Sequence, residues 1–148
     1  AMSGGTLIAL AADEIIMSEH AVLGPIDPQI EGLPAASIMK VVEEKPLSEI
    51  EDRTLILADL GKKATEQLRR SARELLRQPL SDEAAQVLAE KLTSGRWTHD
   101  YPIMAREAGE LGLVLSTEMP NEVLELLAFF PQPVGKMGGV EFGPGLAR

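Results

Sequence analysis

Cysteine is absent, which excludes disulfides and thiolate-ligated metals and leaves the redox compartment open. No apolar run reaches 18 residues, and no basic-then-apolar leader opens the chain, so these residues contain neither a membrane span nor a secretion signal. Positive charge is in short supply. Fourteen Lys plus Arg face 23 Asp plus Glu, a formal charge of -9, which argues against a nucleic-acid or anionic-membrane partner. The one basic cluster, Lys62 to Arg77, is interleaved with Glu66 and Glu74 and reads as a solvated helix face. There is no H-E-x-x-H, no acidic calcium loop and no G-x-x-x-x-G-K-[ST], so neither a metal nor a nucleotide cofactor is implied. Histidine occurs only twice, at His20 and His99.

What is present describes one soluble domain or most of one. Across 148 residues, 45% hydrophobic and 25% charged, a single core is expected that buries roughly two-thirds of the unfolded surface. Small and apolar residues from 3 to 12 predict a buried helix, with Ser3 as cap and Asp13-Glu14 at its end. Two β-like runs follow, Ile15 to Met17 and Ala21 to Leu23, around a Ser18-Glu19-His20 turn. Gly24-Pro25-Ile26-Asp27-Pro28 is a stiff loop, because each proline fixes its own φ and Pro28 keeps Asp27 extended. Helices are predicted over Pro34 to Glu44, Ile50 to Gln78, Asp82 to Leu92 behind a Ser81 cap, Pro102 to Glu110, and Asn121 to Phe130. Leu113 to Leu115 reads as a strand and 131–148 as a flexible Pro/Gly-rich tail. The pattern is helix-rich α/β with too few strands for its own central sheet. Together with a first residue that is not Met, it suggests that upstream strands are missing and that the chain is a fragment.

Two glycines directly after Ser3 need a reason, since each costs a helix about 1 kcal/mol relative to Ala. Small residues around a serine at a tight turn into a helix expose its hydroxyl and offer backbone N–H groups to an oxyanion. An ordinary Ser cap with glycines in a close helix–sheet contact is the plainer alternative. His99, between Trp97 and Tyr101 and beside Asp100, is the better candidate for a general base, or else a simple loop residue with Asp100 as turn former. His20 reads as an exposed turn residue. Asp27 is either a rigid carboxylate that orients an imidazole or a turn former.

AMSGGTLIALAADEIIMSEHAVLGPIDPQI and SGRWTHDYPIMAREAGELGL resemble two signature blocks of the serine dehydrogenase proteinase family. These are membrane-associated Clp-fold serine proteinases, distantly related to the Clp protease proteolytic subunit and to signal peptide peptidase A. The resemblance covers about residues 1 to 118. It implies a ClpP/crotonase-like fold, with residues 1–130 the C-terminal part of the protease domain, and Ser3 as nucleophile. In the Clp subunit a His occupies the place held here by Asp27 and an Asp the place held by His99-Asp100, so the types are exchanged. The order Ser, Asp, His attributed to the family then implies Asp27 as orienter and His99 as base, with Asp100 as the alternative orienter. Gly4 would supply an oxyanion N–H and Gly5 would let the helix pack closely, with a second donor expected from an upstream Gly-Gly segment. Signal peptide peptidase A-like enzymes suggest instead a Ser-Lys dyad through Lys40 or Lys45, although Glu43 and Glu44 favour charged Lys45 and the end of a short helix favours exposed Lys40.

The resulting expectation is a serine endopeptidase that acts through an acyl-enzyme on a peptide or protein substrate. It would be a homo-oligomer of bacterial or archaeal origin, with any membrane attachment through a segment outside this chain. The alternatives are a noncatalytic fragment or scaffold subunit, and a crotonase-like acyl-CoA-binding enzyme on a related fold.

Overall fold

A computed structural model describes residues 1–130; the tail expected over 131–148 lies outside the described residues. The described chain is helix-rich with two small two-stranded sheets. In chain order it forms α1 (Gly4–Leu10), β1 (Val22–Leu23), β2 (Gln29–Ile30), β3 (Leu33–Pro34), α2 (Ala35–Glu44), a 3₁₀ turn (Leu47–Glu49), α3 (Asp52–Leu76), α4 (Asp82–Thr93), β4 (Ile103–Met104), α5 (Ala105–Glu110) and α6 (Asn121–Ala128).

The long amphipathic pattern produces α3, which packs against α2 through its first half and against α4 through its second. Gly61 permits the first contact: a Cβ there would sit 3.1 Å from Ala35 Cβ. Ala72 and Leu76 from the second half join Ala85, Leu88, Ala89 and Leu92 of α4 in the core. That core continues through Leu10 of α1, Leu23 of β1, Ile103 of β4 and Ala105 and Ala108 of α5. Ser81 caps α4 as its sequence predicts, accepting a hydrogen bond from the Ala84 N–H.

β1 is flanked on both sides. The Ala1 amino group donates to the Val22 carbonyl at 2.6 Å and the Gly24 N–H donates to the Ala1 carbonyl at 2.8 Å, the offset of a parallel pair. On the other side β4 pairs antiparallel, Leu23 opposite Ile103. Because these neighbours run in opposite directions, the residues after Ala1, those after β1 and those before β4 all lie beyond the same end of the sheet. Ser3, Asp27 and His99 belong to those three segments.

Several elements differ from the sequence reading. The helix predicted from Pro102 begins only at Ala105, because Ile103, fully buried, is drawn into a ladder with β1. Leu113 to Leu115 and Ile15 to Met17 form no ladder; Ile16 makes a single parallel bridge with Ser116, the residue just past the predicted strand. α1, α3 and α6 each stop short of their predicted ends. The β2–β3 hairpin lies where no strand is predicted; its two-residue turn places Glu31 at φ 51° and Gly32 at φ 80°, the left-handed pair whose twist suits a tight hairpin.

Candidate active site

Ser3 stands at the entrance to α1 with φ 50° and ψ -116°, a conformation costly for a residue with a side chain. Its hydroxyl does not cap the helix and makes no hydrogen bond among the described residues, so the ordinary N-cap reading does not hold. Only its carbonyl is used, accepting from Thr6 and Leu7. A strained turn that leads from an extended segment into a helix turns the serine side chain outward and free of local partners. Gly4 is exposed, a Cβ there would meet nothing within 4 Å, and its N–H has no acceptor among the described residues. Gly5 is the packing glycine: a Cβ would sit 3.3 Å from Ala1 Cβ.

The turn is riveted to β1 by a buried hydroxyl. Thr6 Oγ1 donates to the Gly24 carbonyl at 2.9 Å and accepts from the Gly24 N–H at 3.2 Å. Met2 covers the same glycine so closely that a Cβ on Gly24 would fall 2.7 Å from Met2 Cε and 3.2 Å from Met2 Cα.

From Gly24 the stiff loop runs inward. Pro25 and Ile26 are fully buried, and the Ile26 N–H donates to the carbonyl of Leu92 at the end of α4. Asp27 therefore arrives buried, 3% exposed, yet its carboxylate has two partners. Oδ1 lies 2.9 Å from His99 Nδ1, and Oδ2 accepts from Gln29 Nε2 at 2.7 Å. A carboxylate oxygen can only accept, so the proton of the neutral imidazole sits on Nδ1 and the Nε2 lone pair is left free to take another. Nε2 has no partner among the described residues.

His99 is held by its loop. The Tyr101 N–H donates to the Thr98 carbonyl and closes a turn across His99 and Asp100. Trp97 and Tyr101 stack behind it with centroids 5.5 Å apart, and the Arg96 guanidinium lies 5.2 Å from the Trp97 ring. Desolvation, with the Glu107 carboxylate adding to it, pushes the Tyr101 phenol above its usual range, so the hydroxyl stays protonated and donates to Glu107. Gly95 opens the loop at φ 69° in contact with Ala36.

The other candidates lie elsewhere. Asp100 is exposed in the turn and makes no bond to His99. Lys40 has a 70% exposed side chain 3.6 Å from Glu44, and Lys45 is exposed after the last turn of α2, so neither is buried as the lysine of a dyad is. His20 is exposed beside Glu19. Gln29 and Thr6 were not singled out by the sequence; the signal for Gln29 is its position two residues after Asp27 on an extended segment, which puts both side chains on one face.

No helix among the described residues is long and apolar enough to cross a membrane. The sequence model described as "ClpP-like SDH-type serine proteinase" matches residues 1–148. Two proteins of Methanocaldococcus jannaschii are similar: the uncharacterized protein MJ0137, 55% identical over 97% of this chain and 50% of its own length, and the uncharacterized protein MJ1495, 51% identical over 97% of this chain and 49% of its own length. The chain thus spans about half the length of the curated relatives it matches. No solved structure gave a significant match.

Proposed function

Since the chain belongs to the ClpP-like SDH-type serine proteinases, we propose that it carries the nucleophile, base and orienter of a serine endopeptidase in Ser3, His99 and Asp27. The observation that carries this reading is the 2.9 Å contact between Asp27 Oδ1 and His99 Nδ1, formed at the sheet end that also receives Ser3. The two residues are 72 apart in sequence, so the contact is made by the fold and not by local chain geometry.

In this reading Ser3 Oγ attacks the scissile carbonyl of a peptide or protein and His99 Nε2 takes its proton. Asp27 fixes the imidazole tautomer and stabilises the imidazolium that forms. The C–O bond to Ser3 forms as the carbonyl π pair moves to oxygen, and the free N–H of Gly4 donates to that oxyanion. Collapse expels the amine, which receives the proton from His99, and leaves an acyl-enzyme that water hydrolyses by the same relay. The absence of a Ser3–His99 hydrogen bond without substrate is compatible with this, because such bonds often tighten only in the complex. A homo-oligomeric assembly belongs to the same proposal.

Fluorophosphonate labelling of the wild type, Ser3→Ala and His99→Ala tests it. Mass-mapped label on Ser3 that is lost in Ser3→Ala and slowed at least a hundredfold in His99→Ala is expected. An unlabelled wild type, both here and in a relative of full length, overturns the reading in favour of a noncatalytic Clp-type protein.

A further inference from the structure

Asp27 is buried and offers two oxygens, of which the relay described above uses one. We propose that Gln29 is a positioning residue: its amide holds Asp27 Oδ2 so that Oδ1 stays aimed at His99 Nδ1. This rests on the Proposed function for its catalytic meaning, while the positioning itself concerns only three side chains.

The geometry has a simple origin. Asp27 and Gln29 are two residues apart on an extended segment, so their side chains project from the same face. Pro28 between them fixes one φ, and Pro25 upstream fixes another, which removes much of the freedom by which the two could part. Gln29 starts β2 and pairs with Pro34 of β3, while the Ala35 N–H donates to the Pro28 carbonyl at 2.9 Å. Glu31, at the hairpin turn, is ion-paired to Arg53 of α3. The amide thus sits on a braced hairpin. Its bond to Asp27, at 2.7 Å, is short enough for a charge-assisted contact.

A carboxylate with one fixed partner can rotate about its last torsion; with a donor on each oxygen it cannot do so without breaking a bond. In the relay Asp27 stays a carboxylate whether His99 is neutral or protonated, so its bond from Gln29 is kept throughout, and what the amide supplies is the aim of Oδ1 at Nδ1.

With only two histidines, the chain allows a direct measurement. Nitrogen-15 imidazole spectra of the wild type, Gln29→Leu and Gln29→Glu, recorded at one pH at which the rings are neutral, report the tautomer of His99, with exposed His20 as internal reference. The wild type should hold the His99 proton on Nδ1; in Gln29→Leu, which removes the donor to Asp27 Oδ2, the pattern should move toward a mixture of the Nδ1 and Nε2 tautomers while His20 stays in place. Gln29→Glu keeps the side-chain size but replaces the donor by a group that repels Asp27, so it should do the same. An unchanged His99 tautomer in folded Gln29→Leu overturns the proposal, and if that variant does not fold, an unchanged tautomer in Gln29→Glu does so. Fluorophosphonate labelling in parallel separates the two ideas. An unlabelled wild type with an altered His99 tautomer in the variants defeats the protease reading and keeps the positioning role, whereas a labelled wild type whose rate is matched by both variants defeats the positioning role alone.

Discussion

The Thr6 hydroxyl and the backbone of Gly24 bond to each other in both directions, at 2.9 Å and 3.2 Å, and so join the helix behind Ser3 to the strand end that leads to Asp27. Thr6→Val keeps the shape and leaves the buried Gly24 carbonyl without that donor. A loss of about 1–3 kcal/mol in urea unfolding is expected, accompanied by slower labelling at Ser3; unchanged stability would show that the rivet carries no load.

Asp27→Asn should separate orientation from folding. Asn fits the same space, its oxygen can accept from Gln29, and its NH₂ then faces His99 Nδ1, which moves the imidazole proton to Nε2 and removes the acceptor for the Ser3 proton. Labelling should fall by about 10³–10⁴-fold with the melting temperature little changed. A variant that labels at the wild-type rate would remove Asp27 from the relay.

Gly95 sets the turn that opens the His99 loop. Its φ is 69°, and a Cβ would fall 2.3 Å from Ala36 Cβ, an atom with no torsion by which to move aside. Gly95→Ala combines a left-handed side-chain cost of about 1–2 kcal/mol with overpacking of about 1–3 kcal/mol. Calorimetry should show a melting temperature lower by roughly 10 °C.

A fourth expectation concerns acid stability. The hydrogen bond from Arg73, aided by its charge and that of Arg77, holds the Asp82 carboxyl below its ordinary 3.8. A depressed folded-state value contributes stability above the unfolded value and loses it as pH falls through the folded one. The stability difference between wild type and Asp82→Asn should therefore be present at pH 6 and shrink steadily below about pH 4. A difference that grows on acidification would contradict the sign.

The sequence made the helical layer legible because its signals are long or local. Twenty-five residues of α3 repeat their apolar face many times, Ser81 caps through a bond three residues away, and Pro46 and Pro79 cannot continue a helix. The short strands were another matter. A two-residue strand has no period to read, and Ile103–Met104 is extended only because β1 lies beside it, 80 residues earlier in the chain. At the candidate site, residue types were legible and relations were not. Asp27 between prolines and His99 between aromatics stand out in the sequence, yet their contact is a tertiary fact that only the family resemblance anticipated. The positive φ of Ser3 leaves no trace in the sequence, since serine has no preference for it, and by residue type alone a plain cap stands beside the nucleophile reading. Gln29 is not legible in the sequence because its bond exists only once the backbone through Pro28 is extended.

The separation of Asp27 from His99 also bears on when the pair can exist. The two are 72 residues apart, and the intervening chain holds α2, α3 and α4, so the contact closes a large loop around most of the helical layer. Closing such a loop costs entropy before any of its contacts repay it, so the pair relies on the packing of the helices that the loop contains. A chain whose helices have not docked has Ser3 and His99 without the Asp27 contact on which the proposed relay depends.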